Sequence, residues 1–229
     1  MVKNLSIASV LEDDLFIDRL PLAAKKAFRF FVNDKILCDT SWYLAGGTAL
    51  TLQLGHRKSV DLDFFCQDTT FDEVAWERKL MRTGVWQTTR REEGTIFGTF
   101  LEAKVSFIAY PFFLPSRVRL QCGHLRLLTA PDIAVMKIIA ISQRGRKRDF
   151  LDLYWYARHR EPIEDVLRRT IVQYPGQDKN VNHLLASLIY FHDADEDPLP
   201  RMYVAVSWVQ VKRYFEREIP RIAKKFFGL

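Results

Sequence analysis

The chain has 229 residues, of which 48% are hydrophobic and 13% aromatic, and its 34 lysines and arginines against 28 aspartates and glutamates leave a net charge of +6. That is enough apolar material for one large domain or two small ones, and too much for a disordered chain. No apolar run approaches the roughly 18–20 residues that cross a bilayer, and residues 1–20 carry Glu12, Asp13, Asp14 and Asp18, which is not the pattern of a secretory signal.

Residues 8–36 read as two helices broken near Pro21, the second with Ala23, Ala24, Ala27, Phe28 and Phe31 on an apolar stripe. Residues 42–45 form a short apolar strand that runs into Gly46-Gly47. A helix follows from Thr48 and ends at Gly55, a C-terminal cap. Residues 61–65 are the next strand, and Asp61 and Asp63 share one face of it because side chains alternate with period two. Residues 71–83 read as a helix ending at Gly84, followed by strands near 85–90, 96–100, 104–110 and 125–128. Thr129, Pro131 and Asp132 are the start signal of a helix over 131–142 that is apolar nearly all round. From about Arg148 onward only helices are expected, over 150–158, 163–174, 181–190 and 207–227. Pro162, Pro175-Gly176 and an acidic turn at 193–200 separate them. The fold class expected is α+β: a mixed-sheet core with N-terminal helices, residues 1–145, and a helical half, residues 146–229.

Cys38, Cys66 and Cys122 are odd in number and lack a Cys-x-x-Cys pair, so they read as reduced thiols of a cytoplasmic protein. The five histidines show no zinc-ligand spacing. The chemistry-bearing segment is Gly46-Gly47-Thr48 with Asp61 and Asp63. Glycines let backbone amides approach a phosphate, and a helix N-terminus favours anions. Paired carboxylates suit a hard cation such as Mg²⁺, which binds through one or two carboxylates plus substrate phosphates. Together they point to nucleotide chemistry. Lys137 interrupts the apolar helix, either snorkelling to the surface or held at a cleft to meet phosphate. Arg144, Arg146, Lys147 and Arg148 form a basic loop before Asp149 and Asp152, which lie one helical turn apart.

These segments, Gly46-Gly47-Thr48-Ala49-Leu50, Gly55 through Phe65, Asp132 through Lys137, and Arg148-Asp149-Phe150-Leu151-Asp152-Leu153-Tyr154, resemble in order the motifs of the AbiEii/AbiGii toxin family. That family belongs to the DNA-polymerase-β-like nucleotidyltransferases. The resemblance spans residues 41–154. It implies Mg²⁺ held by Asp61 and Asp63, and an NTP seated by Gly46, Gly47 and Thr48. It also implies Lys137 neutralising the triphosphate, and Asp149 near the nucleophile. It further implies a toxin with a cognate antitoxin, passing an NMP to a hydroxyl of RNA, such as tRNA, or of protein.

One departure concerns the third carboxylate that many members of the superfamily place on a later strand. Ser106 stands there instead, and Glu102, of the same parity, lies about 13 Å earlier along an extended chain. Asp149, with Asp152 beside it, is then the candidate base. The rival reading is a non-catalytic nucleotide- or RNA-binding protein that keeps the fold. A basic stripe at Arg213, Arg217 and Arg221 on the last helix is a candidate acceptor or partner face.

Overall fold

The computed structural model describes residues 6–116 and 118–228, and these fall into two compact units, residues 1–129 and 130–229. The first unit is built on one mixed sheet of eight strands: β1 (Ser6–Ser9), β2 (Tyr43–Ala45), β3 (Leu62–Cys66), β4 (Trp86–Glu92), β5 (Thr95–Phe100), β6 (Ala103–Ala109), β7 (Val118–Cys122) and β8 (Leu125–Leu127). Their spatial order is β1-β7-β8-β2-β3-β6-β5-β4. Parallel pairs (β1 with β7, β8 with β2, β3 with β6) are interleaved with antiparallel ones, and the β6-β5-β4 end is antiparallel throughout, which makes the sheet mixed, as the sequence implies.

Helix α1 (Leu22–Asn33) packs its stripe of Ala24, Ala27, Phe28 and Phe31 against one face of this sheet. The ring of Phe31 lies 4.8 Å from Phe64 and 4.8 Å from Phe100, and Phe64 stacks on Phe107 at 4.8 Å with the planes 11° apart. Trp42 and Trp76, the latter on α3 (Glu73–Met81), close the same cluster around Phe107. This aromatic core fixes which way β3 faces. With Phe64 fully buried among rings, Asp63 and Phe65 must point to the opposite, open side.

The second unit is wholly helical: α4 (Ala130–Arg144), α5 (Lys147–His159), α6 (Ile163–Gln173), α7 (Val181–Ser187), α8 (His192–Glu196) and α9 (Trp208–Phe227). Phe150 is its hub, with ring contacts to Phe191, Trp208 and Phe215. The expected division at 145/146 lies later than the one observed. Helix α4 packs on α5, α6 and α7 and so belongs with the helical unit.

Three local expectations are corrected. The first N-terminal helix is absent; residues 6–9 form the edge strand β1, followed by short 3₁₀ turns at Glu12–Asp14 and Ile17–Arg19. Strand β1 is exposed along its length, so it carries no burial period for a sequence reading to find. Strand β7 and the short helix α8 were also missed. Glu102 is not a strand residue at all. It forms with Leu101 a two-residue turn, both at positive φ (67° and 49°), between the paired Phe100 and Ala103. That is the type I′ geometry whose twist matches an antiparallel hairpin, so its strand parity has no meaning.

Candidate active site

Helix α2 (Gly46–Leu54) begins directly where β2 stops, and its N-cap residue, Ala45, has no side-chain group to cap it. Gly46 adopts φ 67°, a left-handed conformation that an L side chain strains to reach. A Cβ there would also stand 3.1 Å from Oδ2 of Asp63, so the missing side chain lets that carboxylate sit close against the turn. At Gly47 a Cβ would overlap the guanidinium of Arg57, which is itself buried. The Thr48 hydroxyl bonds Ser59 Oγ at 2.9 Å and also the Asp61 carbonyl oxygen. Thr48 is buried, and its hydroxyl ties the helix start to the segment that leads into β3. A helix start offers backbone amides to an anion, while the Thr48 hydroxyl is engaged within the protein.

Asp63 pairs in register with Ala45 on β2 and with Ser106 on β6. Ser106 Oγ donates to Asp63 Oδ1 at 2.7 Å, a neutral donor that orients the carboxylate where a third carboxylate would repel it. Asp61 lies one residue before β3, and both aspartates are half-exposed. Two half-exposed carboxylates, one of them against a helix start, are the kind of ligand a hard, oxygen-seeking cation takes while it keeps water and phosphate in its remaining positions.

The other predicted residues meet in the helical unit. A two-residue connection, Gly145-Arg146, folds α5 back beside α4. Lys137 Nζ then stands 2.6 Å from Asp149 Oδ1 and 2.7 Å from Asp152 Oδ2, and Arg144 Nε lies 3.0 Å from Asp149 Oδ2. The two aspartates are 0% exposed and Lys137 6%. Burial on its own pushes the Asp149 carboxyl up, but the charges and hydrogen bonds of Lys137 and Arg144 outweigh it and hold the group below the usual carboxylate range. Lys137 does not snorkel. It is the centre of a cluster in which a buried lysine and a half-exposed arginine face two buried carboxylates.

A model of the nucleotidyl transferase AbiEii toxin family, a type IV toxin–antitoxin system, matches residues 31–105 and 105–226. The chain belongs to that family. An uncharacterised protein of Aquifex aeolicus (strain VF5) is 32% identical over 189 residues, covering 80% of this chain and 88% of that protein. Among solved structures, the nucleotidyltransferase toxin MenT4 from Mycobacterium tuberculosis H37Rv superposes with a TM-score of 0.52 at 18% identity, over 87% of this chain and 86% of that one. A proposed nucleotidyltransferase from H. pylori gives 0.51 at 18% identity, over 90% and 96%. At those identities the likeness is one of fold, and the fold is that of nucleotidyltransferases.

Within this AbiEii-family site the sequence reading missed Arg57 and Ser59. Arg57 packs under Gly47 and donates to the Lys58 carbonyl at 2.9 Å, while Ser59 shares a hydroxyl–hydroxyl bond with Thr48. The available signal was a cation followed by a small hydroxyl in the short link between Gly55 and Asp61. Nothing local says that this link folds back onto the glycine turn.

Proposed function

We propose that this toxin-family protein is a Mg²⁺-dependent nucleotidyltransferase that moves an NMP from an NTP to a hydroxyl of RNA. The observation that carries the reading is Asp63, held by Ser106 on its β6 side and set against the Gly46 turn on its β2 side. Asp61 and Asp63 would hold the cation, whose chemistry when bound is to neutralise phosphate oxygens and favour in-line displacement. The amides at Gly46, Gly47 and Thr48 receive the triphosphate. The acceptor oxygen bonds the α-phosphorus, the bond from the α-phosphorus to the bridging oxygen breaks, and pyrophosphate leaves with its electron pair.

Lys137 is assigned to triphosphate charge and Asp149 to the acceptor proton, and their geometry couples the two roles. An ammonium has three donors, of which Asp149 and Asp152 take two. While Lys137 and Arg144 hold it, Asp149 is a poor base. A carboxylate in that position gains basicity only as the hold of the cations on it is loosened. Asp152 keeps Lys137 in place.

The non-catalytic reading has one observation in its favour, the serine at position 106. Calorimetric titration with Mg-NTP, followed by incubation with labelled NTP and total RNA, separates the two. Asp63→Ala is expected to weaken Mg-NTP binding at least about 100-fold, some 2.7 kcal/mol, with a melting temperature within about 4 °C of wild type. Full affinity in that variant removes the metal assignment. Binding without label transfer in the wild type leaves the binder.

A further inference from the structure

The open face of the sheet does not end at Ser106. Register carries a single row of residues across four successive strands: Asp63 on β3, Ser106 on β6, Phe97 on β5 and Arg90 on β4. Two contacts show that these side chains share one face. Ser106 donates to Asp63, and the Arg90 guanidinium lies over the Phe97 ring, 4.9 Å from its centroid. The neighbours Ile96 and Phe107 turn the other way and are fully buried in the aromatic core. Phe97 is therefore an aromatic ring on the open side, half-buried, stacked by a guanidinium, and not needed to fill the core.

We propose that Phe97 and Arg90 are the seat on which a terminal unpaired base of the RNA acceptor stacks, which presents its ribose hydroxyl toward Asp63. This rests on the proposed nucleotidyltransferase reading and adds to it where the acceptor lies. Neighbouring strands are about 4.8 Å apart, so Phe97 stands two strands, or about 10 Å, from Asp63. That is within the reach of one nucleotide. Lys104, two residues before Ser106 and on the same face, is exposed beside the row and suits the backbone phosphate of the seated nucleotide. An aromatic face with cations around it is the recurrent recipe for holding single strands, since every base has a π-face. Glu92 engages Arg90 at 2.9 Å, and at a pair this exposed the bond steers the guanidinium more than it holds it.

The side of the row on which this platform lies decides between acceptor and NTP. The glycine turn that receives the triphosphate follows β2, on one side of Asp63, and Phe97 lies on the other. In-line displacement needs the leaving pyrophosphate and the attacking hydroxyl on opposite sides of the phosphorus. A base stacked on Phe97 arrives from the attacking side.

The test uses the full chain and an RNA hairpin labelled at its 5′ end, with four unpaired nucleotides at its 3′ end. Anisotropy reads RNA affinity, and calorimetry reads each Mg-NTP in parallel. Phe97→Leu and Arg90→Gln are each expected to weaken the hairpin about tenfold or more. Phe97→Trp, which keeps a stacking face, stays within about twofold of wild type, and Mg-NTP affinity is the same in all four proteins. A hairpin trimmed to a blunt end should bind wild type and Phe97→Leu alike. Unchanged hairpin affinity in the Leu and Gln variants overturns the proposal, and so does failure of the wild type to bind the hairpin. Loss of Mg-NTP affinity in Phe97→Leu overturns it too, by placing the NTP base on the ring. A wild type that binds RNA through Phe97 but no Mg-NTP sinks the nucleotidyltransferase reading and leaves the platform standing.

Discussion

The chain carries two pairs of aspartates that sequence reading treats alike and structure treats in opposite ways. Asp61 and Asp63, spaced for a strand, both stay half-exposed, and Asp63 sits on the open side of the sheet beside a glycine turn and a serine hydroxyl. Asp149 and Asp152, spaced for a helix, are wholly buried and clamped by Lys137, with Arg144 on Asp149. A carboxylate that keeps contact with water remains available to a cation from solution. One that is buried must bring its countercharge with it, because an unpaired buried ion costs several kcal/mol. The first pair therefore suits recruitment of a metal, and the second suits holding an internal lysine in a set place. The same residue type serves two ends, and burial decides which.

The sharpest way to break this contrast is to remove one charge from each pair. Lys137→Met removes the cation that both buried carboxylates share. We expect it to cost about 3–5 kcal/mol of unfolding free energy, the usual penalty for breaking a buried pair. Asp63→Asn should move the denaturant midpoint hardly at all. Equal midpoints in the two variants would mean that the helical cluster opens to water as freely as the strand pair, and the distinction would collapse.

Acid sharpens the same contrast more gently. The Asp149 carboxyl is depressed below its ordinary value of 3.8, so the folded protein binds its proton less readily than the unfolded chain does. Its contribution to stability is fully present above about pH 4, and is lost as the pH falls through the lower folded value. Between pH 5 and pH 3 the wild type is expected to lose stability more steeply than Asp149→Asn, in which that proton has nowhere to bind. Denaturant melts across that range read the difference. Parallel curves would show that Asp149 is not ionised within the cluster.

How much of this was legible beforehand follows from the range of the interactions. The strand–glycine–helix unit and the facing of Asp63 rest on period-two alternation and on glycine chemistry, both local, and they could be read directly. The helix carrying Lys137 was equally plain. What the lysine touches was not, because Asp149 and Asp152 reach it only through the Gly145-Arg146 reversal. Arg57 under Gly47 and Arg90 over Phe97 were invisible for the same reason. Register between β6, β5 and β4 assembles the row from positions 63, 106, 97 and 90, and no local pattern encodes such a pairing. Glu102 was misread because a Leu-Glu pair is an unusual choice for a turn with both φ values positive. Pro220 lies inside α9, and the helix assignment continues past it from Trp208 to Phe227. Proline at an exposed position removes one backbone hydrogen bond but leaves the apolar face of Val211, Tyr214, Phe215, Ile219 and Ile222 to hold the helix down.

The smallest expected effect bears on the serine that sets this site apart. Ser106→Ala removes one neutral donor from a half-exposed carboxylate, which costs about 1 kcal/mol of stability or less. On a chain of this length that lowers the melting temperature by about 2–4 °C. Its larger effect should fall on function. A hydrogen bond that orients a metal-binding carboxylate is typically worth 10- to 100-fold in metal affinity, so Mg-NTP binding should weaken by roughly the lower figure. Ser106→Asp runs the other way. It restores a carboxylate to the row directly beside Asp63, so the protein without metal should melt lower, through like-charge repulsion. Added Mg²⁺ should then raise the melting temperature of this variant by more than it raises that of the wild type, since a ligand stabilises in proportion to its affinity for the folded state. Differential melting with and without Mg²⁺, in the presence of a non-hydrolysable NTP, checks both variants in one series. If Mg²⁺ shifts wild type, Ser106→Ala and Ser106→Asp equally, the ion binds away from Asp63 and the strand pair is no metal site. If Ser106→Asp alone transfers label to RNA, the serine is what holds this member of the family back from catalysis.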